Sequence, residues 1–156
     1  MSDLLKKGDK APDFSLPNYD GKEITLSDFK GQNIVLWFFP KASTPGWTAQ
    51  GCGFRDEFQD FQNSGYTIIG VSADSPKKQA KFVDKYDFPF YMLCDESKNM
   101  LKDYKVWALK KFMGREYMGI VRVTYIINSS GKIHKSYDTV KTKTHAQDVL
   151  ADIAKI

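Results

Sequence analysis

Residues 39–56 read FPKASTPGWTAQGCGFRD, a stretch that carries most of the chemistry the chain could do. A hydrophobic strand end runs through a short loop into a segment with helical spacing. Such a junction suits a sulfur nucleophile, because the unpaired N–H groups and partial positive charge of a helix N-terminus favour a thiolate. Residue 47 falls in that first turn. Thr44 places a hydroxyl beside it, and Pro40 stiffens the loop while removing a backbone donor. Arg122, in IVRVT, sets a charge in an otherwise apolar strand, an expensive place for a cation without an anion to serve. Yet residue 47 is a tryptophan, and indole offers one N–H donor and no nucleophile. The two thiols of the chain are Cys52 and Cys94.

The elements that must hold these residues follow from the hydrophobic pattern. APDFSLPNYDGKEITL predicts two short strands around Asp20-Gly21, a strong hairpin dipeptide. NIVLWFF predicts a strand buried on both faces. Phe54, Phe58 and Phe61 recur at helical spacing, predicting one amphipathic helix over about 46–63. YTIIGVSA is the next buried strand and closes a right-handed βαβ unit. Ser75 caps a helix that has Pro76 at its first position. FPFYML predicts a strand, followed by a helix over about 96–104. IVRVTYIIN and KIHKSYD predict an antiparallel hairpin across 129–131. Thr144 and Gln147 predict a capping box for a last helix with Ala146, Val149, Leu150 and Ile153 on its apolar face. The sum is a mixed α/β sheet flanked by helices, a thioredoxin-like fold with an N-terminal β-hairpin extension, in a single domain over 1–156.

The totals agree with that reading. A chain of 156 residues suits one core, and 42% hydrophobic content places it among globular proteins. A net charge of +4, with lysines scattered among acids, argues against nucleic-acid binding. The start MSDLLKKGDK lacks the apolar core of a signal peptide, and the longest apolar run is too short for a membrane span. Two cysteines make no disulfide framework. A cytoplasmic location is the expectation, with no membrane partner.

Pro40-x-x-x-Thr44-x-x-Trp47 resembles the peroxiredoxin active-site motif of proline, three residues, threonine, two residues and cysteine. The surrounding stretch is similar to the bacterioferritin comigratory protein (Q-type) subfamily and its PKxxTPGCTxExCxFRD pattern. GDKAPDFSLPNYDGKEITLSDFKGQNIVLWFFP, VSADSPKKQAKFVDKYDFPF and YKVWALKKFMGREYMGIVRVTYIINSSGKI extend the resemblance over nearly the whole chain. It implies a thioredoxin-fold peroxidase that reduces hydrogen peroxide and organic hydroperoxides, with sulfur as the redox element, no cofactor, and thioredoxin or a similar dithiol as reductant. It further implies that position 47 seats the peroxidatic cysteine and that Cys52 is the resolving cysteine. Thr44 and Arg122 would stabilise peroxide and thiolate, and Pro40 would shield the loop. A monomer or weak dimer is expected.

Two residues depart from the pattern: Gln50 stands where glutamate is frequent, and Trp47 stands where the nucleophile belongs. Cys52 is no replacement, since five helical residues turn it roughly 140° from position 47 and carry it ~7.5 Å along the axis. That separation also exceeds the ~4.4–6.8 Å a disulfide spans, so a cycle using 47 and 52 must unwind the first turns. The Trp47 ring is expected to disturb the pocket, stacking near Arg122 or swinging out, with the first helical turn displaced. The chain therefore reads as a peroxidase scaffold disabled at its nucleophile. The alternatives are a non-enzymatic partner-binding module and a one-cysteine redox sensor. Cys94 is expected to be structural, Arg55 and Asp56 to brace the helix, and Trp107 to pack beside the loop. His134 and His145 have no metal-ligand spacing, so no metal is expected.

Overall fold

The structure, a computed structural model, describes residues 4–39, 45–121, 123–137 and 144–155, without the side chains of 45–47 and 110–112. At its centre lies β3, Asn33–Phe38, whose sequence NIVLWF is apolar after its first residue. Successive side chains of a strand point to opposite faces, so β3 feeds two cores. Ile34, Leu36 and Phe38 enter one, with Leu101, Tyr104 and Tyr125. Val35, Trp37 and Phe39 enter the other, with Phe54, Phe82 and Phe90. A continuous apolar run is what a strand covered on both sides requires.

β4, Tyr66–Ser72, and β5, Tyr91–Cys94, extend the sheet in parallel on one side of β3. On the other side β8, Val123–Ile127, and β9, Ile133–Tyr137, extend it antiparallel. The order is β5-β4-β3-β8-β9. The expected N-terminal hairpin is present as β1, Ser15–Pro17, and β2, Glu23–Thr25, with Gly21 at φ 84° in the turn. Asn18 Oδ1 accepts the Met92 N–H at 2.9 Å and ties that hairpin to the β5 edge.

Helix α3, Pro76–Tyr86, starts as its sequence predicts: Ser75 Oγ accepts the Lys78 N–H at 3.3 Å, with Pro76 at the first position. Four expectations need correction. The helix placed over 46–63 is two helices, α1, Pro45–Asp56, and α2, Phe58–Asn63, broken at Glu57 where ψ is 8°. The break lets Phe61 meet Phe54 at 5.7 Å and Phe58 meet Phe90 at 6.3 Å, contacts that hydrophobic spacing alone cannot tell from one straight helix. Helix α4, Asn99–Asp103, starts later than expected, because Lys98 takes φ 67° and the Asp95 carboxylate accepts the Leu101 N–H at 2.9 Å.

The stretch IVRVTYIIN is not one strand. Its first residue closes β7, Arg115–Ile120, which pairs with β6, Trp107–Phe112, in a hairpin that sequence reading missed. The expected hairpin across 129–131 does form, between β8 and β9. Finally, α5, His145–Ile153, has no side-chain cap bond at Thr144. The Thr144 hydroxyl donates instead to Asp148 at 3.2 Å, so the Thr144/Gln147 capping box is replaced by a side-chain pair. The apolar face of α5 is as expected, with Ala146, Val149 and Ile153 buried and Leu150 packed at the margin.

Candidate active site

The chain leaves β3 through Phe39, whose N–H donates to the Val71 carbonyl at 3.0 Å, and enters α1 at Pro45. Position 47 is therefore the third residue of a twelve-residue helix. Its side chain, together with Pro40, Thr44 and Arg122, lies outside the described residues.

α1 comes close to the sheet because it lacks a side chain at the point of contact. A Cβ on Gly51 would stand 2.8 Å from Phe88 Cζ and 3.3 Å from Trp37 Cη2. Glycine is required there by proximity rather than by φ. Beneath α1, Trp37 lies over Gly70, where a Cβ would approach its Cε2 to 2.9 Å, and stacks on Phe39 with ring centroids 4.7 Å apart. Phe54, the apolar anchor one turn after Gln50, touches Trp37, Phe61 and His145. Gln50 lies on this inner face and is buried, yet among the described residues neither its amide nitrogen nor its oxygen has a hydrogen-bond partner. Thr48 Oγ1 and Trp37 Nε1 are likewise buried with no partner among the described residues. Sequence reading noted Gln50 only as a departure from glutamate; its position four residues before Phe54 was the signal that it points inward.

Cys52 is half-buried against the core that holds Trp37 and Phe54. Burial pushes its thiol up, Arg55 pulls it part of the way back, and Asp56 adds to the rise. It is thus no ready thiolate in this conformation. Arg55 braces the helix as expected: Nη2 lies 3.1 Å from Asp56, while Nη1 donates to the Tyr86 carbonyl at 2.8 Å, binding α1 to the end of α3. Cys94 closes β5, fully buried, with its thiol pushed up to about 12 by burial, Glu96 and Asp74. That suits a structural cysteine. Both thiols are free.

His145 is buried between the Phe54 and Tyr137 rings and shares a 2.9 Å hydrogen bond with Thr124 Oγ1. It packs α5 against β8 beside α1, a role the sequence did not disclose. His134 lies on β9. Among the described residues no three His, Cys, Asp or Glu side chains are grouped to hold a metal. Trp107 sits half-buried at the base of the β6–β7 hairpin, with Lys98 Nζ 5.6 Å from its ring centre. The loop expected to be its neighbour falls outside the described residues. No helix among the described residues is long and apolar enough to cross a membrane.

Residues 7–136 match the AhpC/TSA family. Peroxiredoxin Bcp of Escherichia coli K12 is 42% identical over 146 residues, covering 94% of this chain and 94% of that protein. Peroxiredoxin Bcp of Bacillus subtilis is 44% identical over 146 residues, covering 94% and 93%. Among solved structures, bacterioferritin comigratory protein of Xanthomonas campestris, described for its alkyl peroxide reduction activity, superposes with a TM-score of 0.89. It shares 30% identity, with 96% of this chain and 98% of that one covered. The fold is therefore thioredoxin-like, and the chain belongs to the AhpC/TSA family, among the Bcp/PrxQ-type peroxiredoxins.

Proposed function

We propose that this chain is a thioredoxin-dependent peroxidase scaffold whose turnover is lost because Trp47 occupies the nucleophile's seat. The observation that carries the reading is that the third residue of α1 is tryptophan while burial pushes the thiols of both Cys52 and Cys94 up. Neither remaining cysteine is built to attack in its place.

With cysteine at position 47, the reaction balances as follows. The thiolate sulfur attacks the distal peroxide oxygen and the O–O bond breaks. Water or an alcohol leaves with a proton, and the sulfur is oxidised to a sulfenic acid. The Cys52 thiol then condenses with it, forming an S–S bond and releasing water. A thioredoxin-type dithiol reduces that bond and becomes a disulfide itself. Thr44 and Arg122 would hold the peroxide and the developing negative charge, with Pro40 shielding the loop. Because α1 runs unbroken from Pro45 to Asp56, the disulfide step requires its first turns to unwind. Hydrogen peroxide and organic hydroperoxides are the proposed substrates, in a cytoplasmic monomer or weak dimer with no cofactor and no nucleic-acid or membrane partner.

The test is thioredoxin-coupled peroxide consumption by Trp47→Cys beside the chain as it stands. Turnover only in the repaired protein is expected. If neither protein turns over, the scaffold has drifted, the peroxidase reading is wrong and the partner-binding alternative gains ground.

A further inference from the structure

Of the five large apolar side chains left exposed among the described residues, Leu109, Met113, Tyr117 and Met118 belong to the β6–β7 hairpin, and Tyr91, on β5, is the least exposed. Leu109 and Met118 are paired across the strands, 56% and 49% exposed, on the face whose base pair is Trp107 and Ile120. Tyr117, 46% exposed, alternates to the opposite face, and Met113 stands 86% exposed at the tip. The hairpin pairs with neither of the other two sheets. It is a finger with an exposed apolar side chain at its tip and at least one on each face.

The tip is costly in its own right. Met113 and Gly114 form a two-residue turn with φ 51° and 78°. A turn with both φ positive favours asparagine followed by glycine, and a side chain such as methionine is strained there. An exposed, unbranched thioether held in a left-handed conformation gains nothing from the fold. It gains from a partner, since methionine adapts to irregular apolar surfaces.

Size and charge select the partner. Four exposed apolar side chains fall well short of the roughly 20–30 residues a side that a stable complex buries and suit a transient encounter such as a redox exchange. The hairpin sequence carries Lys110, Lys111 and Arg115 against Glu116, so a second copy of the finger would meet like charge. From these observations we propose that the β6–β7 finger is the docking element for the protein dithiol reductant, gripped by an apolar groove with an acidic rim. This rests on the peroxidase reading above.

The experiment places Met113→Asn and Leu109→Ser in the Trp47→Cys background and varies the thioredoxin concentration. Each variant is expected to raise KM for thioredoxin five- to tenfold. Turnover supported by dithiothreitol stays unchanged, and Met113→Asn unfolds at the same or a higher temperature. KM for thioredoxin should also rise with added salt. An unchanged KM in both variants overturns the proposal. If Trp47→Cys fails to turn over, the peroxidase reading fails separately, and the ¹⁵N-labelled chain as it stands is titrated with thioredoxin. Shifts of the Met113 and Gly114 amides uphold the docking role, and their absence overturns it. A concentration-dependent dimer that Met113→Asn abolishes assigns the finger to a second copy and likewise overturns it.

Discussion

Arg55 reaches from α1 to the Tyr86 carbonyl at the end of α3, 2.8 Å away, while the same guanidinium faces Asp56. One side chain thus fixes the C-terminal half of α1 and moderates the rise of the Cys52 thiol, about one and a half turns from position 47. Arg55→Ala is expected to cost about 1 kcal/mol, the net worth of a partly exposed hydrogen bond. Urea unfolding reads that loss, and iodoacetamide labelling of Cys52 at pH 8 should slow.

Gly51 and Gly53 lie on the same helix and should respond in opposite directions. Gly51→Ala drives a Cβ to 2.8 Å from Phe88 and is expected to destabilise by about 1–3 kcal/mol, as overpacking does. At Gly53 the new Cβ would meet Ala146 Cβ at an ordinary 3.5 Å, so Gly53→Ala should stabilise by up to about 1 kcal/mol through helix propensity. Equal effects in thermal unfolding would mean that the approach of α1 to Phe88 is not what glycine 51 serves.

Gln50 sits buried with no partner for its amide among the described residues, which leaves its desolvation uncompensated there. Gln50→Met keeps the volume and removes the polar atoms. A gain of about 1–2 kcal/mol is expected. Calorimetry on the variant checks it; a loss would show that the amide has a partner in solution.

Cys94 makes stability depend on alkaline pH. Its thiol titrates at about 12 when folded, against an ordinary value of 9.0. Between those values the unfolded chain has lost the proton and the native one keeps it, so the contribution is complete below pH 9. It then falls by about 1.4 kcal/mol per pH unit up to pH 12. Cys94→Ala should flatten that part of the profile relative to the parent, measured by urea unfolding at pH 8, 9.5 and 10.5.

The order of strands and helices was legible because burial writes itself into periodicity. NIVLWF and YTIIGVS carry it as unbroken runs, and Ser75-Pro76 marks a helix start through local chemistry alone. The β6–β7 hairpin was not legible. Its faces are largely exposed, so no alternation betrays it, and its turn uses Met113 where asparagine would have announced it. The break at Glu57 escaped for another reason, since both halves keep their phenylalanines on the buried side. Around the site, Cys52 and Arg55 could be placed from helix geometry. The burial of Gln50 and the wedging of His145 between Phe54 and Tyr137 depend on contacts between distant segments.

β3 is flanked by strands on both edges and covered by a core on both faces. The described residues that fill those cores, Leu36, Tyr104 and Tyr125 on one side and Trp37, Phe54 and Phe82 on the other, hold the sheet from positions other than the nucleophile's seat, so fold and chemistry rest largely on different residues. A lineage could exchange the reactive residue in one step and still inherit a folded protein. Such a chain would persist long enough for its surface, rather than its chemistry, to acquire the next use.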